Sequence, residues 1–224
     1  MKNTLLITFL FLAGINSLSA QSSNRYDWGI EGGPNLSTLR ISNRQTNSVV
    51  YGSAGFIFQY NTRKILSFKT GFSYQRKGAQ MSGGYYFNPL YNQNAYFSQG
   101  KSIFSMDYIS LPLLVKASFG KKTKFFINAG PYAAFLLSEK THFTYGDYTS
   151  HLSNLSSFKR LDFGVTGGIG LAVPIKEFWM VHIEFRNYLG AQEIHAYSGD
   201  RIFTNTTDMR LGVVYRLGFR EEKN

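Results

Sequence analysis

The chain's chemical resources are four histidines, no cysteine and a series of charged residues spaced two apart. Without cysteine there is no disulfide, no thiolate nucleophile and no thiolate metal site. His142, His151, His182 and His195 show no ligand spacing along the chain, and the sequence predicts neither a metal nor a cofactor. His151 stands near Ser150, Ser153 and Asp147, which together offer a base and a nucleophile of the kind that transfers acyl groups on lipids. Serine and histidine are common in loops without catalysis, so the expectation is no enzyme. Gly167, Gly168 and Gly170 fall inside a strand pattern, where they relieve crowding or turn a barrel corner instead of cradling a phosphate.

The charged residues are more informative. In WMVHIEFRNYL, Trp179, Val181, Ile183, Phe185 and Leu189 share one face at a period of two, and His182, Glu184 and Arg186 share the other. A helix could not bury the apolar set without burying Glu184 and Arg186 as well, so the segment is a strand between two media. Asp27, Glu31, Lys69, Lys116, Asp162, Arg210 and Arg216 occupy polar positions in other segments of the same pattern.

Eight segments alternate in this way: Tyr26–Leu36, Val50–Tyr60, Leu66–Tyr74, Tyr108–Phe119, Phe125–Leu137, Leu161–Leu171, Trp179–Leu189 and Met209–Phe219. Each is about one bilayer crossing long. Pro112 lacks the amide hydrogen a ladder needs and predicts a bulge or one lost bond. The connections alternate too. NTRK, GKKTK and PIKEF are short; the stretches near 41–48, 77–105, 138–157 and 191–207 are long. Short turns at one end and long loops at the other are the plan of an outer-membrane barrel, and soluble sandwiches have no reason for it.

Tyr26, Trp28, Tyr60, Phe119, Phe125, Trp179 and Phe219 all fall near the short-turn end on the apolar face, as an interfacial aromatic girdle requires. Tyr74, Phe135 and Phe163 are candidates for the opposite girdle. The same alternation would suit a soluble, lipocalin-like barrel turned the other way. Bulk argues against it, because an eight-stranded interior has little room for Trp, Phe and Leu from every strand, whereas Gly and Ser on the polar side fit a narrow lumen. With the apolar side outward, Asp27, Glu31, Asp162 and Glu184 meet Lys69, Lys116, Arg186, Arg210 and Arg216 inside, with His182 adjustable. Buried ions need partners. The expected network places Glu31 beside the basic last strand and Asp162 beside Arg186.

Residues 1–20 read as a signal peptide, with Lys2, an apolar run from Leu5 to Ala13 and Leu18-Ser19-Ala20 before the cut. Residues 21–224 are then one barrel domain. The net charge of +11 is dispersed, with no basic stripe for nucleic acid.

GIEGGPNLS (Gly29 to Ser37), SFKTGFSYQRKG (Ser67 to Gly78), YISLPLLVKASF (Tyr108 to Phe119), INAGPYAAFLLS (Ile127 to Ser138) and FKRLDFGVTGGIGL (Phe158 to Leu171) resemble, in order, the outer-membrane β-barrel domain of Bacteroidota, its porin-like or PorT-like group. The resemblance implies an all-β, eight-stranded antiparallel up-and-down transmembrane β-barrel in a Gram-negative outer membrane, with both ends periplasmic. It assigns no transport. Tyr85, Tyr86, Phe87, Tyr91, Tyr96 and Phe97 in one long loop suit contact with a protein, glycan or neighbouring barrel, or simply extend a hairpin. The expected partners are outer-membrane lipids, lipopolysaccharide and other envelope or secretion proteins. The expected role is structural or interactive, with a narrow channel, a secretion component and a lipid-modifying enzyme as alternatives.

Overall fold

The computed structural model describes residues 26–42, 45–62, 65–88, 93–145, 148–153, 155–195 and 201–217. The proposed signal peptide and Phe219 lie outside them. The period-two segments form β1 (Tyr26–Ile41), β2 (Val49–Asn61), β3 (Leu66–Asn88), β4 (Gln93–Phe119), β5 (Lys124–Tyr145), β6 (Tyr148–Leu152), β7 (Leu161–Lys176), β8 (Trp179–Gly190) and β9 (Ile202–Arg216). Eight of them close into an antiparallel barrel in the order β4-β3-β2-β1-β9-β8-β7-β5, with β5 returning to β4. β6 is an addition the sequence reads as loop; it pairs only with the outer end of β5, from Thr141↔Leu152 to Tyr145↔Tyr148.

One end of the barrel turns tightly. β7 runs further than expected, to Lys176, and only Glu177 and Phe178 separate it from β8, with a register shift between Pro174 and Lys176. In the β4–β5 turn Gly120 has φ 104°, a left-handed conformation that glycine adopts without strain.

At the other end the strands outrun the membrane. β3 has 23 residues and β4 has 27, where about 9–11 suffice to cross. Residues 77–105, read as loop, therefore form mostly a strand hairpin, paired from Lys77↔Met106 out to Asn88↔Gln93 with a shift between Ser82 and Gly84.

Pro112 breaks the ladder but not the register. β3–β4 pairing stops at Thr70↔Leu113 and resumes at Ser73↔Ser110 without a shift. The bulge lies elsewhere, where Asp107 faces Ser138 and Tyr108 faces Leu136. Leu137 becomes the extra residue there, and the alternation of β5 reverses beyond it.

The faces are inverted relative to a soluble barrel. Trp28, Ile30, Phe56, Phe72, Leu113, Phe125, Val165, Ile169 and Leu211 are exposed, while Glu31, Lys69, Asp162, Glu184, Arg186 and Arg210 are buried. A soluble monomer does not expose so wide a continuous apolar surface. On β3 the band runs from Leu66 to Tyr74; one step outward, Arg76 donates to Asp107 at 2.7 Å, and Tyr74 and Ser138 donate to the same carboxylate at 2.5 and 2.7 Å. Those polar groups mark the band's outer border. None of the described residues forms a helix long and apolar enough to cross a membrane.

Candidate functional site in the barrel interior

The lumen is filled in layers, each made by residues two apart on neighbouring strands. At the tight-turn mouth, Asn61 donates to Asp27 at 2.7 Å, and Lys116 donates to Gln59 at 3.0 Å. The Lys116 ammonium also stands 4.1 Å from the centre of the Phe126 ring, a cation–π contact. Among the described residues, no carboxylate forms a salt bridge with Lys116. Arg216 is half-buried opposite Asp27 in the β1–β9 register and touches the Met180 sulfur. Ile57, Phe126, Ala172, Met180 and Val214 form a small apolar layer beside these groups.

The central layer joins β1, β3, β8 and β9 across the lumen. Glu31 accepts from Lys69 at 2.9 Å, Arg210 at 2.7 Å and Arg186 at 3.2 Å. Glu184 accepts from Arg186 at 2.6 Å, Lys69 at 2.8 Å and Asn128 at 2.9 Å. The Arg210 Nε donates to Asp208 at 2.8 Å, and Asp208 also accepts from Gln75 at 2.8 Å. Three carboxylates thus face Lys69, Arg186 and Arg210, and His182 Nε2 lies 3.2 Å from Glu31. Burial this complete is tolerable only because every charge has partners.

Space for the layer comes from missing side chains. A β-carbon on Gly168 would meet the Glu184 carboxylate at 2.9 Å, and one on Gly212 would meet the His182 ring at 2.3 Å. Glu31, His182 and Glu184 bring three ligand atoms within 4.8 Å of one another. Lys69 already sits between the two carboxylates, with both arginines beside them, so the donor set does not fit a metal ion. A cavity lined by Glu31, Lys69, Arg186 and Arg210 measures about 10 Å³, about one water molecule and far less than a hydrated ion.

Above this layer Lys77 donates to Asp162 at 3.0 Å and lies 4.9 and 4.8 Å from the ring centres of Tyr108 and Tyr132. Asp162 also accepts from Thr204 at 2.8 Å and Tyr132 at 3.2 Å. The expected Asp162–Arg186 pair does not form. Arg186 stands opposite Gly168, six residues or about 20 Å along the strand from Asp162. Leu39, Ala79, Met106, Leu136 and Ile194 cap the lumen with an apolar layer where the sequence suggested only polar filling.

A family model described as outer membrane protein beta-barrel domain matches residues 19–195. The chain belongs to that family. This outer-membrane barrel also matches solved structures in fold. They include Neisserial surface protein A (10% identity, 86% of this chain and 97% of that one, TM-score 0.49). The attachment invasion locus protein Ail of Yersinia pestis matches at 11% identity, over 86% and 99%, with a TM-score of 0.42. The outer membrane protease OmpT of Escherichia coli matches at 8%, over 88% and 99%, with 0.47. Among curated proteins, none matches the chain.

On the barrel's outer surface, Tyr26, Trp28, Phe119, Phe125 and Trp179 are exposed and Tyr60 half-buried at the tight-turn end. Tyr26 stacks on Phe58 with ring centres 5.7 Å apart and meets Tyr60 at a tilt with centres 5.3 Å apart. Tyr215, not among the girdle residues expected from the sequence, joins Trp28 and Trp179 at 6.1 and 5.1 Å. At the other border Tyr74, Phe135 and Phe163 are exposed.

Tyr85, Tyr86, Phe87, Tyr96 and Phe97 lie in the β3–β4 hairpin, with Tyr85 opposite Tyr96; their side chains, and Tyr91 altogether, are outside the described residues, as is Asp147. The proposed base His151 has another partner. Its Nδ1 lies 2.9 Å from Nδ1 of His142, and Ser153 is engaged with the Glu139 carbonyl at 2.8 Å.

Proposed function

We propose that this outer-membrane barrel is a closed, non-conducting protein whose task is structural or interactive, carried by the strand extensions beyond the membrane. The observation that carries this reading is the buried charge layer, in which Glu31 and Glu184 tie β1, β3, β8 and β9 together through Lys69, Arg186 and Arg210. Opening a pore would require separating these ions in a medium where an unpaired charge is costly.

In this reading residues 1–20 are a signal peptide removed on export, the tight turns and both chain ends face the periplasm, and the girdle from Tyr26 to Trp179 sits at the periplasmic interface of the bilayer. The β3–β4 hairpin then stands outside the cell, where its aromatics meet lipopolysaccharide, a glycan or another envelope protein. The motif resemblance to PorT-like barrels makes a secretion component one such partner, which co-purification from native outer membranes would identify.

Single-channel recording on the refolded protein in planar bilayers tests the closed state. No conductance steps are expected in the intact protein; reproducible large steps would overturn it.

A further inference from the structure

Two histidines nine residues apart in sequence become cross-strand neighbours, because β6 folds back on the outer end of β5 with His142 opposite His151. Their Nδ1 atoms are 2.9 Å apart, and the rings meet edge to face with centres at 4.6 Å. His151 is exposed and His142 half-buried. Both lie past the Arg76–Asp107 border, with His142 about 13 Å along β5 from Ser138, so neither is in the hydrocarbon.

Only one of the two nitrogens can donate, so the other must present a lone pair. Two imidazole nitrogens bonded to one ion at about 2.0 Å and at right angles lie about 2.8 Å apart, and at a tetrahedral angle about 3.3 Å. The observed separation therefore fits two adjacent positions around a divalent transition metal, copper(II) or nickel(II) best and zinc with a small adjustment.

We propose that His142 and His151 form an external site for a divalent transition-metal ion, which binds both Nδ1 atoms once the donor ring's proton moves from Nδ1 to Nε2, and which staples β6 to β5. Neither nitrogen is used by the lumen network. The remaining coordination positions open to solvent, as an exposed two-histidine site allows. Lys140, two residues earlier on β5, is exposed and so need not compete. Binding would hold β6 against β5 without touching the barrel.

Copper(II) titration of the untagged, refolded full chain in detergent tests this, read by calorimetry and by the nitrogen hyperfine pattern in electron paramagnetic resonance. One ion per chain with a two-nitrogen signature is expected. H142Q and H151Q should each weaken binding by about a hundredfold, from loss of chelation, while H195Q leaves it unchanged. Far-ultraviolet circular dichroism confirms that each variant keeps its strands. A single-nitrogen signature, or affinity that survives the double variant H142Q/H151Q, would overturn the proposal.

Discussion

Replacing Glu31 with Gln tests how far the barrel depends on its central charge layer. Glu31 accepts hydrogen bonds from Lys69, Arg186 and Arg210 at 2.9, 3.2 and 2.7 Å, and its side chain is 1% exposed. Each charge-assisted bond is worth about 1.5–3 kcal/mol, but the amide keeps the shape and one acceptor oxygen, so the loss falls short of their sum. What remains is an uncompensated buried positive charge, which puts the expected destabilisation at about 3–5 kcal/mol. Adding Lys69→Met restores the balance, leaving Glu184 and Asp208 against Arg186 and Arg210, and should recover about 1–2 kcal/mol of that loss. Urea unfolding in lipid vesicles, followed by tryptophan fluorescence, measures both, with Glu177→Gln in an exposed turn as a control within about 0.5 kcal/mol of the wild type. A Glu31→Gln loss no larger than the control's, or two substitutions whose costs simply add, would show that the layer does not hold the barrel together through its charges.

Other outcomes follow from the same geometry. Leu113→Arg, outward near the middle of the apolar band, should cost about 2–4 kcal/mol in lipid-vesicle unfolding, whereas Thr144→Arg, beyond the border, should stay within about 0.5 kcal/mol. Gly212→Val places methyl groups where the His182 ring now lies; the expected cost is about 1–3 kcal/mol, measured in the same assay. Excising residues 86–95 from the tip of the β3–β4 hairpin should leave the unfolding midpoint unchanged while abolishing any partner captured from native membranes.

The strands were legible because alternation needs no knowledge of partners. From Trp179 to Leu189 every second residue except Asn187 is apolar, and that alone separates the lipid face from the lumen. Interior charges such as Glu31, Lys69 and Arg210 followed from the same parity. Pairing did not, because it depends on register: Asp162 meets Lys77 and not Arg186, since six residues of strand separate it from the position facing Arg186.

Lys77 and Asp208 do not stand out by pattern because they lie where the sequence turns polar on both faces. Continuing the parity of Lys69, Ser73 and Gln75 one step reaches Lys77, and stepping back from Arg210 reaches Asp208. The β5–β6 hairpin and its histidine pair were beyond such reading. The alternation of β5 reverses at the bulge by Leu137, and nothing in the spacing of His142 and His151 tells that the chain folds back between them.

The apolar face meets lipid while the charges close the lumen, and Trp28 and Trp179, the chain's two tryptophans, report on that arrangement directly. In vesicles of lipids brominated at defined depths, both should be quenched strongly by bromine near the headgroups and weakly by bromine at the bilayer centre. Tryptophans untouched at every depth, in a chain that stays dissolved without detergent, would contradict it.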